Sequence, residues 1–272
     1  MATVHVSYYT DPACPWSWSI EPALRRLEME FGAQVEFTYV MGGLAREFGA
    51  PLAQVAEWLD AAEAGGMPVD PRLWIESPPA SSYPACLAVK AAGEQGREVA
   101  GRYLRRLREG IAYGRRRLDR ADALLAEARG LVGLDLQRFE IDLQSNWMAE
   151  LFAADLDRAG AVDAAHHASG TGRVRLPSLE FRGEDSAVHG VYGPASYEAL
   201  REAVEAAGGN RAGDPPPDVE AALRRFGTLA TAEVAAVCDL PGPRAAAELW
   251  RLAGEWRVRA DARLTGEMWS LA

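Results

Sequence analysis

The sequence predicts an α/β fold interrupted by a long helical segment and followed by a small C-terminal unit. Three observations carry this reading. Two β-rich runs, residues 3–9 and 35–41, bracket an amphipathic helical stretch. A strand–strand–helix pattern returns only near residue 179, and residues 44–146 in between carry helical periodicity almost throughout. Residues 208–217, GGNRAGDPPP, then have the composition of a linker ahead of a compact tail.

In order, TVHVSYY is the first strand and Asp11-Pro12 a turn. A helix is expected over 15–31, because Ile20, Leu24, Leu27 and Phe31 recur at three- and four-residue steps and Gly32 stops the run. Pro15 suits the first helical position, where a missing N–H costs nothing. VEFTYVM alternates as a strand and ends at Gly42-Gly43. The middle segment offers helices at 52–64, 84–93, 99–113, 119–131 and 135–143, broken at Gly65-Gly66 and Pro78-Pro79. An amphipathic helix at 147–158 is assigned to the α/β core. LEFR at 179–182 and AVHGV at 187–191 flank Gly183, Glu184 and Asp185, a hairpin signal. A closing helix at 195–206 carries Tyr197, Leu200 and Val204 on one face. This order, with a thiol at the first helix N-terminus, is that of a thioredoxin fold with a large helical insertion. The expected division is 1–43 and 147–208 for the thioredoxin fold, 44–146 for the insertion, 209–217 for the linker and 218–272 for the tail. The tail offers short helices at 219–226, 232–237 and 244–252, then a hairpin of 256–264 and 267–271 about Thr265-Gly266. That is a winged-helix-like pattern.

With 49% hydrophobic and 25% charged residues, the 272-residue chain can bury a real core without disulfide staples. Its net charge of −10 and pI near 5.0 set it against phosphate backbones and anionic lipid, so neither nucleic acid nor membrane is an expected partner. The basic clusters Arg105, Arg106, Arg108 and Arg115, Arg116, Arg117 read as solvated helix faces, with a docking patch for an acidic protein as the alternative. From Asp214 onward seven basic residues face nine acidic ones, so the tail reads as a protein-docking or homodimerisation module rather than a DNA reader. The first residues lack a basic region and an apolar run of signal-peptide length, and no stretch reaches the roughly 18 apolar residues of a membrane span. A cytoplasmic protein is the expectation. Three cysteines, Cys14, Cys86 and Cys238, are too few and odd in number for a disulfide framework.

The chemistry-bearing motif is Asp11-Pro12-Ala13-Cys14-Pro15-Trp16-Ser17. Thiol chemistry needs the thiolate, and a helix N-terminus favours it through unpaired N–H groups and the positive dipole end. Asp11, if ionised and close, opposes that. Cys14 is therefore the candidate nucleophile, with a buried apolar cysteine as the alternative. Ser17, one turn on, can bond the thiolate but cannot close an internal disulfide, so an outside thiol or Cys86 would have to resolve a mixed disulfide. Pro15 and Trp16 limit solvent around the sulfur and are candidate substrate contacts. Leu176-Pro177 precedes a strand and is the candidate cis peptide bond facing the cysteine, where the backbone could pair with a bound peptide. Cys86 has an inert helix-face cysteine as its alternative reading, and Cys238 reads as core. His166 and His167, with Asp163, lack a third ligand, and His5 and His189 read as core histidines, so no metal is expected. No cofactor is expected beyond glutathione or another low-molecular-weight thiol.

DPACPWSWSIEPALRRLEMEFG at 11–32 resembles the active-site helix of the DsbA-like thioredoxin family, and in particular that of the SpxH (YjbH) group. YPACLAVKAA at 83–92 and YLRRLREGIAYGRRRLDRADALLAEA at 103–128 are similar to that group's helical subdomain, and the tail from Asp218 is similar in pattern to its C-terminal region. The resemblance implies Cys14 as nucleophile and Pro177 as the active-site cis-proline. It departs at Ser17, where redox-active members carry the resolving cysteine. It implies three functions: single-cysteine thiol–disulfide exchange on protein or small thiols, adaptor delivery of a client regulator to the ClpXP protease, or glutathione-dependent transfer or isomerisation of the kappa-class type.

Overall fold

Alternating β-branched and aromatic residues make β1 (Val4–Thr10) the inner strand of a four-stranded sheet ordered β2–β1–β3–β4. A computed structural model describes residues 3–272. β2 (Val35–Met41) runs parallel to β1, while β3 (Ser178–Arg182) and β4 (Val188–Tyr192) are antiparallel additions. Val4, Val6, Tyr8, Leu179 and Phe181 point to one face, which α2 (Glu21–Phe31) and α10 (Tyr197–Ala206) cover with Leu24, Leu27, Phe31, Leu200 and Val204. On the other face Tyr9 and Val40 meet Ala159, Val162 and Val174, around the end of α9 (Asn146–Gly160). The register that pairs Tyr9 with Ser178 brings Pro177 level with the end of β1, where the Cys14 turn begins.

The helix expected over 15–31 is two helices. α1 (Pro15–Ser19) ends at Ile20 (φ −90°, ψ 1°), and α2 begins at Glu21. Pro22 is the cause, since it has no N–H to continue the ladder of α1. The insertion contributes α3 (Pro51–Gly65), α4 (Leu73–Glu76), α5 (Tyr83–Gly93), α6 (Arg97–Ala112), α7 (Ala121–Ala128) and α8 (Leu136–Leu143). The short α4 has no counterpart in the sequence reading. α7 is shorter than the expected 119–131, because Arg120 and Arg129 are extended at its two ends. Trp58, Trp74, Tyr103, Leu107 and Phe139 form the core of these helices, and the same cluster continues into Trp18 of α1 and Met41 of β2.

The C-terminal unit comprises α11 (Val219–Phe226), β5 (Leu229–Ala230), α12 (Thr231–Val237), α13 (Arg244–Gly254), β6 (Val258–Ala262) and β7 (Glu267–Leu271). Its sheet is antiparallel in the order β5–β7–β6, over a core of Leu223, Val234, Leu249, Val258 and Trp269. The hairpin begins at Val258 rather than at 256. Trp256 is left-handed (φ 60°) and closes α13, its N–H donating to the Ala253 carbonyl and that of Arg257 to Leu252. The linker is tied down: Ala212 N–H donates to the Glu30 carbonyl at 2.7 Å, and Gln34 and Asn210 bond each other twice. Among the described residues no helix is long and apolar enough to cross a membrane.

Candidate functional site

Cys14 is the N-cap of α1. Its backbone is extended (φ −82°, ψ 114°), and its Sγ takes the capping place by accepting the Ser17 N–H at 3.4 Å. The Thr10 hydroxyl donates to Ser17 Oγ at 2.9 Å, and Arg108 donates to Thr10 Oγ1. Arg108, Thr10 and Ser17 thus form a chain of bonds running up to the sulfur. The Leu176–Pro177 bond is cis, Pro177 is buried, and its carbonyl accepts the Gly193 N–H at 2.9 Å. Leu176 lies against Gly42, where an added Cβ would stand 2.7 Å from its Cδ2.

The sulfur is closed in. Cys14 is 1% exposed. Burial pushes its thiol up to about 11; the two Ser17 bonds and Arg108 pull down, while Asp11 pushes further up. The N-terminus of a five-residue helix does not overcome the loss of water. Pro15 is buried beside it, Trp16 is half-buried, and burial pushes the Glu57 carboxyl up.

Asp11 organises the turn. It is wholly buried, and Oδ1 accepts the Ala13 N–H at 2.8 Å. Oδ2 accepts from Leu44 N–H at 2.7 Å, Ser82 Oγ at 2.8 Å and Cys86 Sγ at 3.2 Å. One carboxylate therefore ties the β1 turn, the segment after β2 and the start of α5 together. Burial raises the Asp11 carboxyl against these four bonds. Cys86 shares this network as an S–H donor, and burial followed by the Asp11 charge pushes its thiol well up. Cys238 packs in the C-terminal core.

Beneath α1 lies a layer of buried charge that the sequence reading missed. Arg105 and Arg108 were expected on a solvated face; they are 9% and 2% exposed. Arg105 donates to Glu233 (2.6 and 2.9 Å), Glu21 (2.9 Å) and Glu109 (2.8 Å), and its guanidinium lies 4.6 Å over the Trp18 ring. Arg108 donates to Glu21 at 2.5 Å and to the Tyr8 hydroxyl at 3.2 Å. The correction has a plain cause: burial without partners is prohibitive for an arginine, and the partners sit on distant elements. The i, i+3 spacing of Arg105 and Arg108 beside the apolar Leu104 and Leu107 was the available signal. Arg115, Arg116 and Arg117 are half-exposed, each paired with a carboxylate: Glu76, Glu127 and Asp119. Of the histidines, His5 is exposed on β1 rather than in the core, its Nδ1 3.4 Å from Glu36. His166 lies in a single 3₁₀ turn that ends at His167; it stacks on Tyr192 at 3.7 Å, and His167 Nε2 meets the Val162 carbonyl.

A family model described as Thioredoxin matches residues 8–169, the stretch that carries the end of β1, the Cys14 turn and the insertion. A ClpXP adapter protein SpxH of Shouchella clausii is 30% identical, across 96% of this chain and 86% of its own length. This chain belongs to the thioredoxin family and to its SpxH group. Another such relative, from Bacillus subtilis, is 27% identical over 98% of this chain and 88% of its own length. In both cases the likeness to the group runs through the C-terminal unit. A solved structure, the cytosolic disulfide reductase DsbM of Pseudomonas aeruginosa, aligns at a TM-score of 0.55 with 19% identity, over 69% of this chain and 88% of its own. At that identity the likeness concerns the fold alone.

Proposed function

We propose that this protein is an adaptor of the SpxH type: a thioredoxin-fold platform that binds a client protein and presents it to a ClpXP-type protease. The observation that carries the reading is the closed state of the one thiol at the expected redox position. A sulfur that is 1% exposed, its thiol pushed up to about 11 by burial, holds little thiolate at neutral pH, and Ser17 cannot resolve a disulfide formed on it. Whole-length likeness to proteins named ClpXP adapters supports the same reading.

Thiol–disulfide exchange at Cys14 is the second reading, favoured by the Sγ cap on Ser17 N–H and by the cis Leu176–Pro177 bond, which the β1–β3 register sets level with the end of β1. In that reading Pro15, Trp16, Leu176 and Pro177 contact the substrate, and Cys86 is the internal candidate to resolve it. A glutathione-dependent transferase would need a pocket beside Cys14. Two cavities, of about 270 and 490 Å³, lie elsewhere, one lined by Phe48 and Trp74 and the other by Tyr113 and Met268.

The deciding experiment captures partners on the full chain and then reconstitutes degradation with purified ClpX, ClpP and the captured client. An adaptor shortens the client's half-life at least tenfold, and Cys14→Ala keeps that effect. An unchanged half-life, together with disulfide exchange that disappears in Cys14→Ala, would replace the adaptor by an oxidoreductase.

A further inference from the structure

We propose that Glu233, supplied by the C-terminal unit, is a positioning residue of the Cys14 site: its carboxylate completes the buried charge layer under α1 and so sets how readily the sulfur reacts. Glu233 is wholly buried. It grips Arg105 with both oxygens at 2.6 and 2.9 Å, lies 3.6 Å from Arg25, and accepts the Ala230 N–H at 2.8 Å. The layer holds three guanidiniums, Arg25, Arg105 and Arg108, against the carboxylates of Glu21, Glu109 and Glu233, with Glu28 at its exposed edge 3.2 Å from Arg25. Part of its buried negative charge therefore comes from α12, a helix outside the region that the family model matches.

Two routes lead from Glu233 to α1. Arg105, fixed in a bidentate pair, stacks on Trp18 of α1 itself. Arg105 also shares Glu21 with Arg108, and Arg108 continues through Thr10 to Ser17 and the sulfur. Among the described residues Arg108 Nε has no hydrogen-bond partner, so its hydrogen bonds run through its two Nη groups alone. Cys14 is faced by Tyr8 and Thr10 of β1, Asp11 of the turn, Ser17 of α1 and Arg108 of α6, with Cys86 of α5 behind Asp11. Removing the Glu233 charge makes the layer one unit more positive and draws Glu21 toward Arg105 and away from Arg108. Both changes favour a nearby thiolate.

This proposal rests on the reading of Cys14 as a held-back thiol and is independent of any client. The experiment is iodoacetamide labelling of the full chain from pH 6 to 11, with Cys14 and Cys86 peptides quantified separately. In Glu233→Gln, Cys14 should label about threefold to tenfold faster at pH 7–8, with its profile displaced to lower pH. Glu233→Asp, which keeps the charge, should stay within about twofold of wild type. Cys86 should stay unlabelled in both, which separates a tuned thiol from a loosened fold. A folded Glu233→Gln protein with the wild-type profile overturns the proposal. If that variant does not fold, Glu109→Gln removes the same unit of charge from the partly exposed side of Arg105, and an unchanged Cys14 profile there overturns it equally. A wild-type plateau near pH 7 overturns the held-back reading and this proposal with it.

Discussion

At the scale of single residues, the contest at Cys14 is between a cap that favours the thiolate and burial that disfavours it, and burial wins. Alkylation of Cys14 in the wild-type chain should therefore climb about tenfold per pH unit from 7 to 10, without a plateau in that window. A plateau by pH 8 in stopped-flow or mass-spectrometric labelling contradicts this. Asp11 is the second decisive residue. Asp11→Asn would point an amide NH₂ at groups that are themselves donors, namely Leu44 N–H, Ser82 Oγ and Cys86 Sγ. We expect a loss of about 2–3 kcal/mol in urea unfolding, with a more acidic Cys14 because a neighbouring negative charge is gone. The motif residues were legible in the sequence as a group. Which of them would face water was not, because exposure depends on what the insertion lays over the turn.

Elements were legible wherever their own period sufficed. β1 and β2 alternate, and α2 repeats its apolar residues at three and four steps, so their positions follow from local sequence. The break at Ile20 was signalled only by Pro22, a proline inside the helical run, and the apolar period of 15–31 masked it. The contact of α3 with α1 is also invisible locally. It depends on Gly65, where an added Cβ would stand 2.2 Å from the Ser19 carbonyl oxygen. Gly65→Ala must push two backbones apart and should cost about 1–3 kcal/mol, seen as a lower urea midpoint at unchanged slope. Gly49→Ala, with open space around the added methyl, should leave the midpoint in place and serves as the control. Equal midpoints for the two variants would mean that α3 does not bear on α1 as described.

For the whole molecule, the three parts are joined by buried charge as well as by apolar contact. Met268 and Ala230 of the C-terminal unit enter the core of the insertion, and Val69 N–H donates to Thr265 Oγ1 at 2.8 Å. Glu21 sits where α2, α6 and α12 meet. Burial pushes its carboxyl up, but Arg105, Arg108 and Arg25 outweigh burial and bring it down to about 2. A carboxyl lowered on folding adds stability that is complete above its unfolded value near 4.5 and is lost as pH falls toward 2. The chain should therefore hold a flat melting temperature down to about pH 5 and lose stability steeply below that, with the C-terminal unit and the sheet unfolding together. Glu21→Gln should remove part of this acid dependence and lower the neutral-pH melting temperature. Separate transitions for the C-terminal unit in calorimetry would show that the buried layer does not join it to the rest.

The sequence by itself determined the order of strands and helices, the place of the thiol at a strand-to-helix turn, the absence of a second cysteine at Ser17, and the family. Each of these depends on residues within a few positions of one another, which sets periodicity, caps and motifs. Tertiary structure alone decided that Cys14 is shut from water, that Cys86 bonds Asp11, and that Arg105 and Arg108 lie inside. Those outcomes depend on partners 75 to 128 residues away along the chain, brought together by the insertion and the C-terminal helix α12. A charged side chain is buried only when such a partner arrives, and the spacing of Arg105 and Arg108 beside Leu104 and Leu107 marks the helix face without naming that partner.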